Sequence, residues 1–504
     1  DVCSSDLKTK SMKKIFSSIL LLALFTSLRA QDTITVNLPE AIQRSVSISV
    51  DAVVARNQFK SSYWGYRTYK AELLPEVTLN TTLPYYSKSY NAFQNSDGTY
   101  TFVSNDYSKI DAGISISQNI PLTGATLSVE SSFQRLEQYG GNGSTRYMAI
   151  PGSITLQQPI FGFNRVKWLQ KIEPVKYQGA KQQLVADMED VSNTAIQYYF
   201  NLLLGQINME IAQQNLKNTE KLYTIAEARR KIGQISENDL LQLKVSLLKA
   251  ESYLTDAQAS LSSRMFQLRS FLGYGEDIII KPAIPEGLLS RMPVLSYPQV
   301  VTLARENNPF TQNIQKRMLE ASRDVSQAKA DRWNATLFVS FGMSGQEDRF
   351  AQAFNSNNWR NNQVVNVGIK IPILDWGKSK GKVKIAEANR EVENSKIEKE
   401  QIDFNQNVYL RVQNFNSQSK QLELAKETDI IAQQRYNTSI EAFVLGKIDV
   451  LNLNDSQSSK DEARRNYIEQ MYLLWSYYYQ IRSLTLYDFL GNKEISADYN
   501  KIVD

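Results

Sequence analysis

Two very long stretches almost free of proline decide most of what this chain can become. Phe163 to Ile232 contains only Pro174, and Lys378 to Leu445 contains no proline. As a single helix each would run roughly 100 Å at about 1.5 Å per residue, several times an ordinary globular helix. Leu240, Leu243, Leu247, Ala250, Leu254, Ala257 and Leu261 step by three and four, and Val408, Val412, Phe415, Ser419 and Leu422 do the same. Such a seam buries a narrow stripe against one neighbouring helix. The remaining positions are Gln, Asn, Ser, Lys and Glu, which suit water. Ile232-Gly233 and Leu445-Gly446 interrupt the two stretches, so each reads as a solvated helical hairpin turning near its glycine.

The same order of parts is written twice. Leu38-Pro39-Glu40-Ala41-Ile42 and Tyr297-Pro298-Gln299-Val300-Val301 each open a helical pattern, which runs to about Leu74 and Trp333. Alternating segments follow, then an apolar turn around proline (Gln158 to Gly162, Ile371 to Gly377), then the long helical stretch. The reading is a first repeat over 31–285, with strands about 76–159 and a hairpin about 163–272. A linker covers 286–298. The second repeat spans 299–490, with strands about 336–372 and a hairpin about 378–490, and a tail covers 491–504. Two copies point to a duplication, where a solenoid needs three or more.

The strand segments have period two, which sends alternate residues to opposite faces of a sheet. Ala112, Ile114, Ile116 and Ile120 alternate with Asp111, Gly113, Ser115 and Ser117; Leu127, Val129 and Phe133 with Ser128, Glu130 and Gln134. Leu337, Val339, Phe341 and Met343, and Val365, Val367, Ile369 and Ile371, continue the pattern, as do Val77, Leu79, Leu83 and Tyr85 less regularly and Ile154 with Leu156 briefly. Alternation alone favours a half-buried soluble sheet. The connections shift the balance: 86–107, 136–151 and 345–362 read as long polar loops, whereas Pro121-Leu122-Thr123-Gly124 is a tight turn. Short turns at one end and long loops at the other characterise outer-membrane barrels. Six strands are too few to enclose a lumen, so closure requires several chains.

Residues 1–11 read as a non-native leader and 12–30 as a signal peptide, with Met12-Lys13-Lys14 before an apolar run and a cleavage point near Ala30-Gln31. Cys3 precedes that signal and is the only cysteine, and histidine is absent. The commonest general base and metal ligand are thereby removed, and neither a disulfide nor a zinc cluster is available to the chain alone. With 57 basic and 52 acidic residues interspersed, a nucleic-acid partner is not indicated. Gly377-Lys378-Ser379-Lys380-Gly381-Lys382 has the wrong spacing for a phosphate loop and reads instead as a strand-to-helix junction, with Trp376 at interface depth. Tyr85, Tyr86, Tyr90 and Phe93 are read as an interfacial aromatic girdle or as loop packing. No enzyme activity and no cofactor are expected.

Signal peptide, twofold plan, strand pairs joined to long hairpins, and glycine-centred tips together resemble the TolC-like outer-membrane efflux proteins, over Leu38 to about Leu490. The fold class this implies is mainly α with a β-barrel portion, strands from several chains forming a trimeric transmembrane barrel and the hairpins a periplasmic α-barrel. The resemblance implies a homotrimer in outer-membrane lipid with the helices in the periplasm, serving as a passive export duct of a tripartite efflux or type I secretion system. Docking of a periplasmic adaptor and an inner-membrane pump would open it. In that family two acidic residues three apart commonly follow the second tip glycine, and here those positions are Asn452 and Asp455. They would form the tunnel-entrance gate, with the neutral Asn452 halving the charge. Asp455 as an ordinary acid near a helix N-terminus is the plainer alternative. Ile232, Gly233, Leu445 and Gly446 would be the adaptor-docking tips, with Arg229, Arg230, Lys231 and Lys447 nearby as donors. An extracytoplasmic coiled-coil scaffold is the rival function, and a periplasmic carbohydrate-active enzyme a weaker one.

Overall fold

The computed structural model describes residues 32–140, 143–285, 292–370 and 373–503. The leader, the signal segment, part of the linker and Ile371-Pro372 lie outside the described residues. In chain order the elements are β1 (Asp32–Val36), α1 (Leu38–Ile48), α2 (Val50–Ala71), β2 (Glu76–Gln94), β3 (Tyr100–Ile120), β4 (Ala125–Tyr139) and β5 (Ser144–Pro159). There follow α3 (Arg165–Lys231), α4 (Glu237–Phe271), β6 (Ile278–Pro282), α5 (Tyr297–Asn307), α6 (Pro309–Ala330), β7 (Asn334–Glu347), α7 (Phe350–Ala353), β8 (Arg360–Lys370), α8 (Lys378–Val444) and α9 (Val450–Thr485). The chain divides into two compact units: one of residues up to Gln58, Gln182–Asn308 and Asn405–Tyr499, the other of Phe59–Lys181, Pro309–Phe404 and the last few residues.

The first unit is helical. α3 and α8 are single helices of 67 residues each, α8 free of proline and α3 continuous through Pro174, which lies inside it. The helical pattern before each set of strands, read from sequence as continuous, splits in two. Ser49 ends α1, and its Oγ accepts the Ala52 N–H at 3.2 Å to start α2. Asn308 is held extended (φ −70°, ψ 138°) because the ring of Pro309 disfavours a helical residue before it. Val408, Val412, Phe415 and Leu422 are buried as the seam requires, but Ser419 is only half-buried and its neighbour Gln418 takes the inner position. The Gln418 amide donates to the Gln470 carbonyl oxygen at 3.0 Å and Oε1 at 2.8 Å, which satisfies a buried polar group inside an apolar stripe. In α4, Leu243, Leu247 and Ala257 are buried, and Leu240, Ala250, Leu254 and Leu261 half-buried. β1 and β6 pair in parallel, and the buried Tyr199 hydroxyl joins them to α3, lying 2.6 Å from the Ala283 carbonyl oxygen and 3.1 Å from that of Val36.

The second unit holds one six-stranded antiparallel sheet in the order β2-β3-β4-β5-β7-β8. Its register produces two chemically different faces. Val77, Ile116, Val129, Ile154 and Phe341 stand opposite one another across five strands; the row formed by Ser117, Ser128, Thr155 and Ser340 lies on the other side. The polar side is knit by side chains: Thr78 to Ser115 at 2.6 Å, Thr155 to Ser340 at 3.1 Å and Gln134 to Asp111 at 2.8 Å. The apolar side is open, with Leu79 69% and Val365 66% exposed. A contiguous apolar surface of this kind, bare of any covering element over most of its area, marks contact with lipid or another chain.

Two readings of the strand region need correcting. The segments 86–107 and 136–151 are mostly not loops: β2 and β3 pair as far as Gln94 and Tyr100, and β4 and β5 as far as Gln138 and Ser144. Backbone pairing is indifferent to side-chain polarity, so the hairpins continue beyond their apolar band. Tyr85, Tyr86, Tyr90 and Phe93 are exposed residues of β2, not loop packing. The third segment is a true excursion, and α7 within it lays Phe350 and Phe354 on Phe133, ring centroids 5.1 Å and 5.8 Å apart.

Candidate functional site

The two hairpin tips are built alike. α3 ends on Gly233 and α8 on Gly446, at φ +76° and +73°. At the first tip Gln234 N–H donates to the Arg229 carbonyl and Gly233 N–H to that of Arg230; at the second Lys447 N–H donates to Ala442 and Gly446 N–H to Phe443. This pair of bonds closes a helix through a left-handed residue, which glycine adopts without strain. Two residues past each glycine sits an isoleucine, then the N-cap of the returning helix. Ser236 caps α4 reciprocally with Asp239, and Asp449 Oδ1 accepts the Asn452 N–H at 2.8 Å. A Cβ built on either glycine meets nothing within 4 Å, so both backbones are open to approach. Ile232 is 68% and Leu445 67% exposed.

The tips pack on one another within the helical unit. Leu222, Ala226, Leu243, Tyr436, Phe443, Val450 and Leu453 form one buried cluster, with Ile235 and Ile448 from the two turns against it. Arg229 of α3 reaches across and donates to the carbonyl oxygens of Phe443 and Val444, the last ones of α8. The arginine thereby adds a donor at the helix end, where the Phe443 carbonyl already accepts the Gly446 N–H. Asn452 and Asp455 are both exposed on α9 while Leu453 and Ser456 between and beside them are buried. The Asp455 carboxylate is paired with Arg435 of α8 in the same chain.

Deeper in this bundle lies a polar layer. Lys460 and Asp461 of α9 are paired at 2.9 Å with both side chains only 9% exposed. Asn215 Nδ2 of α3 donates to Asp461 Oδ2 at 2.5 Å, Lys460 Nζ lies 4.6 Å from the Tyr436 ring centroid, and Asn218 donates to the Tyr436 hydroxyl at 3.1 Å. Burial pushes the Tyr436 hydroxyl above its ordinary value, with the Asn218 bond opposing. Sequence reasoning named Arg229 only as a donor near the tip, and it missed that residue's bond to α8, the Arg435–Asp455 pair and the contacts that tie this layer across helices, because those partners stand 20 or more residues apart. It also missed the N-caps, although Gly-x-Ile-Ser and Gly-x-Ile-Asp at the two turns carried the signal.

A sheet with one apolar and one polar face, attached to long hairpins with matching tips, invites comparison with known proteins. The model of the family described as outer membrane efflux protein matches residues 124–274 and 300–492. The chain belongs to the outer membrane efflux protein family. It is 23% identical to the cation efflux system protein CusC of Escherichia coli K12 over 374 residues, covering 70% of this chain and 74% of CusC. To the cobalt-zinc-cadmium resistance protein CzcC of Cupriavidus metallidurans it is 23% identical over 290 residues, covering 57% and 66%. The solved structure of the Campylobacter jejuni CmeC outer membrane channel superposes with a TM-score of 0.64 at 13% identity, covering 92% of this chain and 88% of that one. The fold is thus that of the TolC-like channels, mainly helical with long hairpins and antiparallel strands. As a family member the chain is a non-enzymatic transport protein, an outer membrane channel of tripartite efflux systems with its helical part in the periplasm. The family match sets aside the scaffold and the carbohydrate-active enzyme. Channels of this family work as trimers.

Proposed function

We propose that three copies of this chain close one barrel wall through the free edges of β2 and β8, making a passive export duct entered between the α8–α9 tips. One observation carries this: the sheet has an apolar and a polar face and ends, among the described residues, in two strands each paired along one edge only. Three six-stranded sheets would make an 18-stranded wall, enough for a water-filled lumen. A periplasmic adaptor docks on the open turns around Ile232-Gly233 and Leu445-Gly446, and an inner-membrane pump supplies the energy. Changing Gly233 and Gly446 to phenylalanine is expected to abolish adaptor crosslinking and export while trimers still form. Export and crosslinking left intact would refute docking at these glycines.

Asn452 and Asp455 line the entrance in this reading, three of each around the axis. Three facing carboxylates attract cations, but here each has Arg435 beside it. The native entrance is therefore weakly cation-sensitive. Arg435→Gln is expected to strengthen block by a trivalent cation about tenfold in planar bilayers, and Asp455→Asn on top of it to abolish the gain. No change in block for Arg435→Gln would remove Asp455 from the gate. The relatives named for cation efflux and for cobalt-zinc-cadmium resistance support a metal cation as cargo, and growth of a deletion strain on cobalt, zinc and cadmium salts tests that.

A further inference from the structure

The apolar face of the sheet runs, at its helix end, into a cavity of about 650 Å³ lined by Phe161, Gly162, Lys329, Ala330, Trp333, Ala335 and Ile369. Ala335 and Ile369 are register partners, and the period of two puts them on the same side as Val339 and Val365. The cavity floor therefore continues the lipid-facing surface. Its rim is aromatic, Phe161 being 65% and Trp333 50% exposed, in the manner of residues that sit where hydrocarbon meets water. Above the rim stand cations. Lys329 Nζ lies 3.3 Å from Glu387, which it shares with Lys384 at 2.9 Å, so one carboxylate answers two ammonium groups. The Arg332 guanidinium lies 5.9 Å from the Trp333 ring centroid. Lys378 and Lys380 follow, exposed, on the first turn of α8. Of the other carboxylates nearby, Asp331 is one and Asp375 the second; Asp375 accepts the Gly377 and Ser379 N–H groups at 3.0 Å and 2.8 Å and also lies within reach of the Arg332 charge, so Arg332 is partly answered as Lys329 is.

We propose that this cavity holds an anionic phospholipid of the inner leaflet, with its first acyl carbons against Ile369, Ala335 and Trp333 and its phosphate at Lys329 and Arg332. The inference rests on the apolar face being the lipid-facing one. A second copy of the chain is not the occupant, because strands pair laterally in the plane of the sheet whereas the cavity opens on its face. Basic residues at a membrane surface favour an anionic over a zwitterionic lipid, and two of them give a preference on the order of tenfold or more.

The test uses the full chain, extracted in detergent, stripped of lipid and titrated with dioleoyl phosphatidylglycerol or dioleoyl phosphatidylcholine under native mass spectrometry. Phosphatidylglycerol should bind about tenfold more tightly. Lys329→Gln with Arg332→Gln should bring the two lipids to near parity, Lys329→Arg should keep the preference, and Trp333→Ala should weaken both lipids. Single-channel conductance should stay unchanged in the double variant, which separates loss of the lipid site from failure of the channel itself. Equal binding of the two lipids by the native chain, a preference that survives in the double variant, or crosslinking of Ala330→Cys to a neighbouring chain in place of a maleimide-bearing lipid would each overturn the proposal.

Discussion

Asp461→Ala will destabilise the helical unit by about 3–5 kcal/mol, the range for breaking a buried ion pair from one side. The cause is what it leaves behind. Lys460 is as buried as Asp461, and without the carboxylate its ammonium keeps, among the described residues, only the Tyr436 ring as a partner. Asn215 loses its acceptor at the same time, and an amide donor stranded in an apolar bundle adds to the penalty. Urea unfolding of the detergent-solubilised protein, followed by helical circular dichroism, reads the change. A triple variant, Asn215→Leu, Lys460→Met and Asp461→Leu, removes the buried ion pair and its amide donor together, leaves the Asn218–Tyr436 bond in place, and should recover most of the loss, because replacing a buried ion pair and its partners by apolar groups is often neutral. If Asp461→Ala alone costs under about 1 kcal/mol, the layer is solvated and the bundle is looser than described.

The second large effect separates two neighbouring residues of β4. Val129 lies on the apolar face and Ser128 on the polar one. Val129→Lys should cost about 2–4 kcal/mol, the penalty for a lysine facing lipid near the middle of a barrel wall, and heat-resistant oligomers should disappear from outer-membrane fractions. Ser128→Lys faces water in the lumen and should change assembly little. A sheet bathed in water on both sides makes the contrary forecast. There Val129 is 41% exposed and its replacement by lysine would be nearly free. The pair of variants thus tests which face meets lipid without requiring the trimer to be seen.

Most of the architecture was legible because it rests on local chemistry. The near absence of proline and the three-and-four spacing of Leu243, Leu247 and Val408, Val412, Phe415 marked the long helices, and the period of two marked all six strands. Where the sequence reading erred, the deciding force was not local. The segments 86–107 and 136–151 look like loops by composition, yet their backbones pair because the hairpin geometry carries them on. Gln418 in place of Ser419 in the seam of α8 depends on Gln470 waiting opposite. The proposed entrance was legible only in part. Gly233 and Gly446 announce their turns, since their conformations require glycine. Arg435 beside Asp455 and Arg229 over the end of α8 are contacts between distant segments, and no spacing in the chain foretells them. The six strands read from the period of two all join one sheet, with β3 and β4 between β2 and β5.

The mass of the particle released from outer membranes by a mild detergent tests the account most directly. Six strands with two bare edges must find partners to make a wall, so native mass spectrometry should return three chains per particle. A single chain per particle, remaining in solution after the detergent is withdrawn, would contradict it.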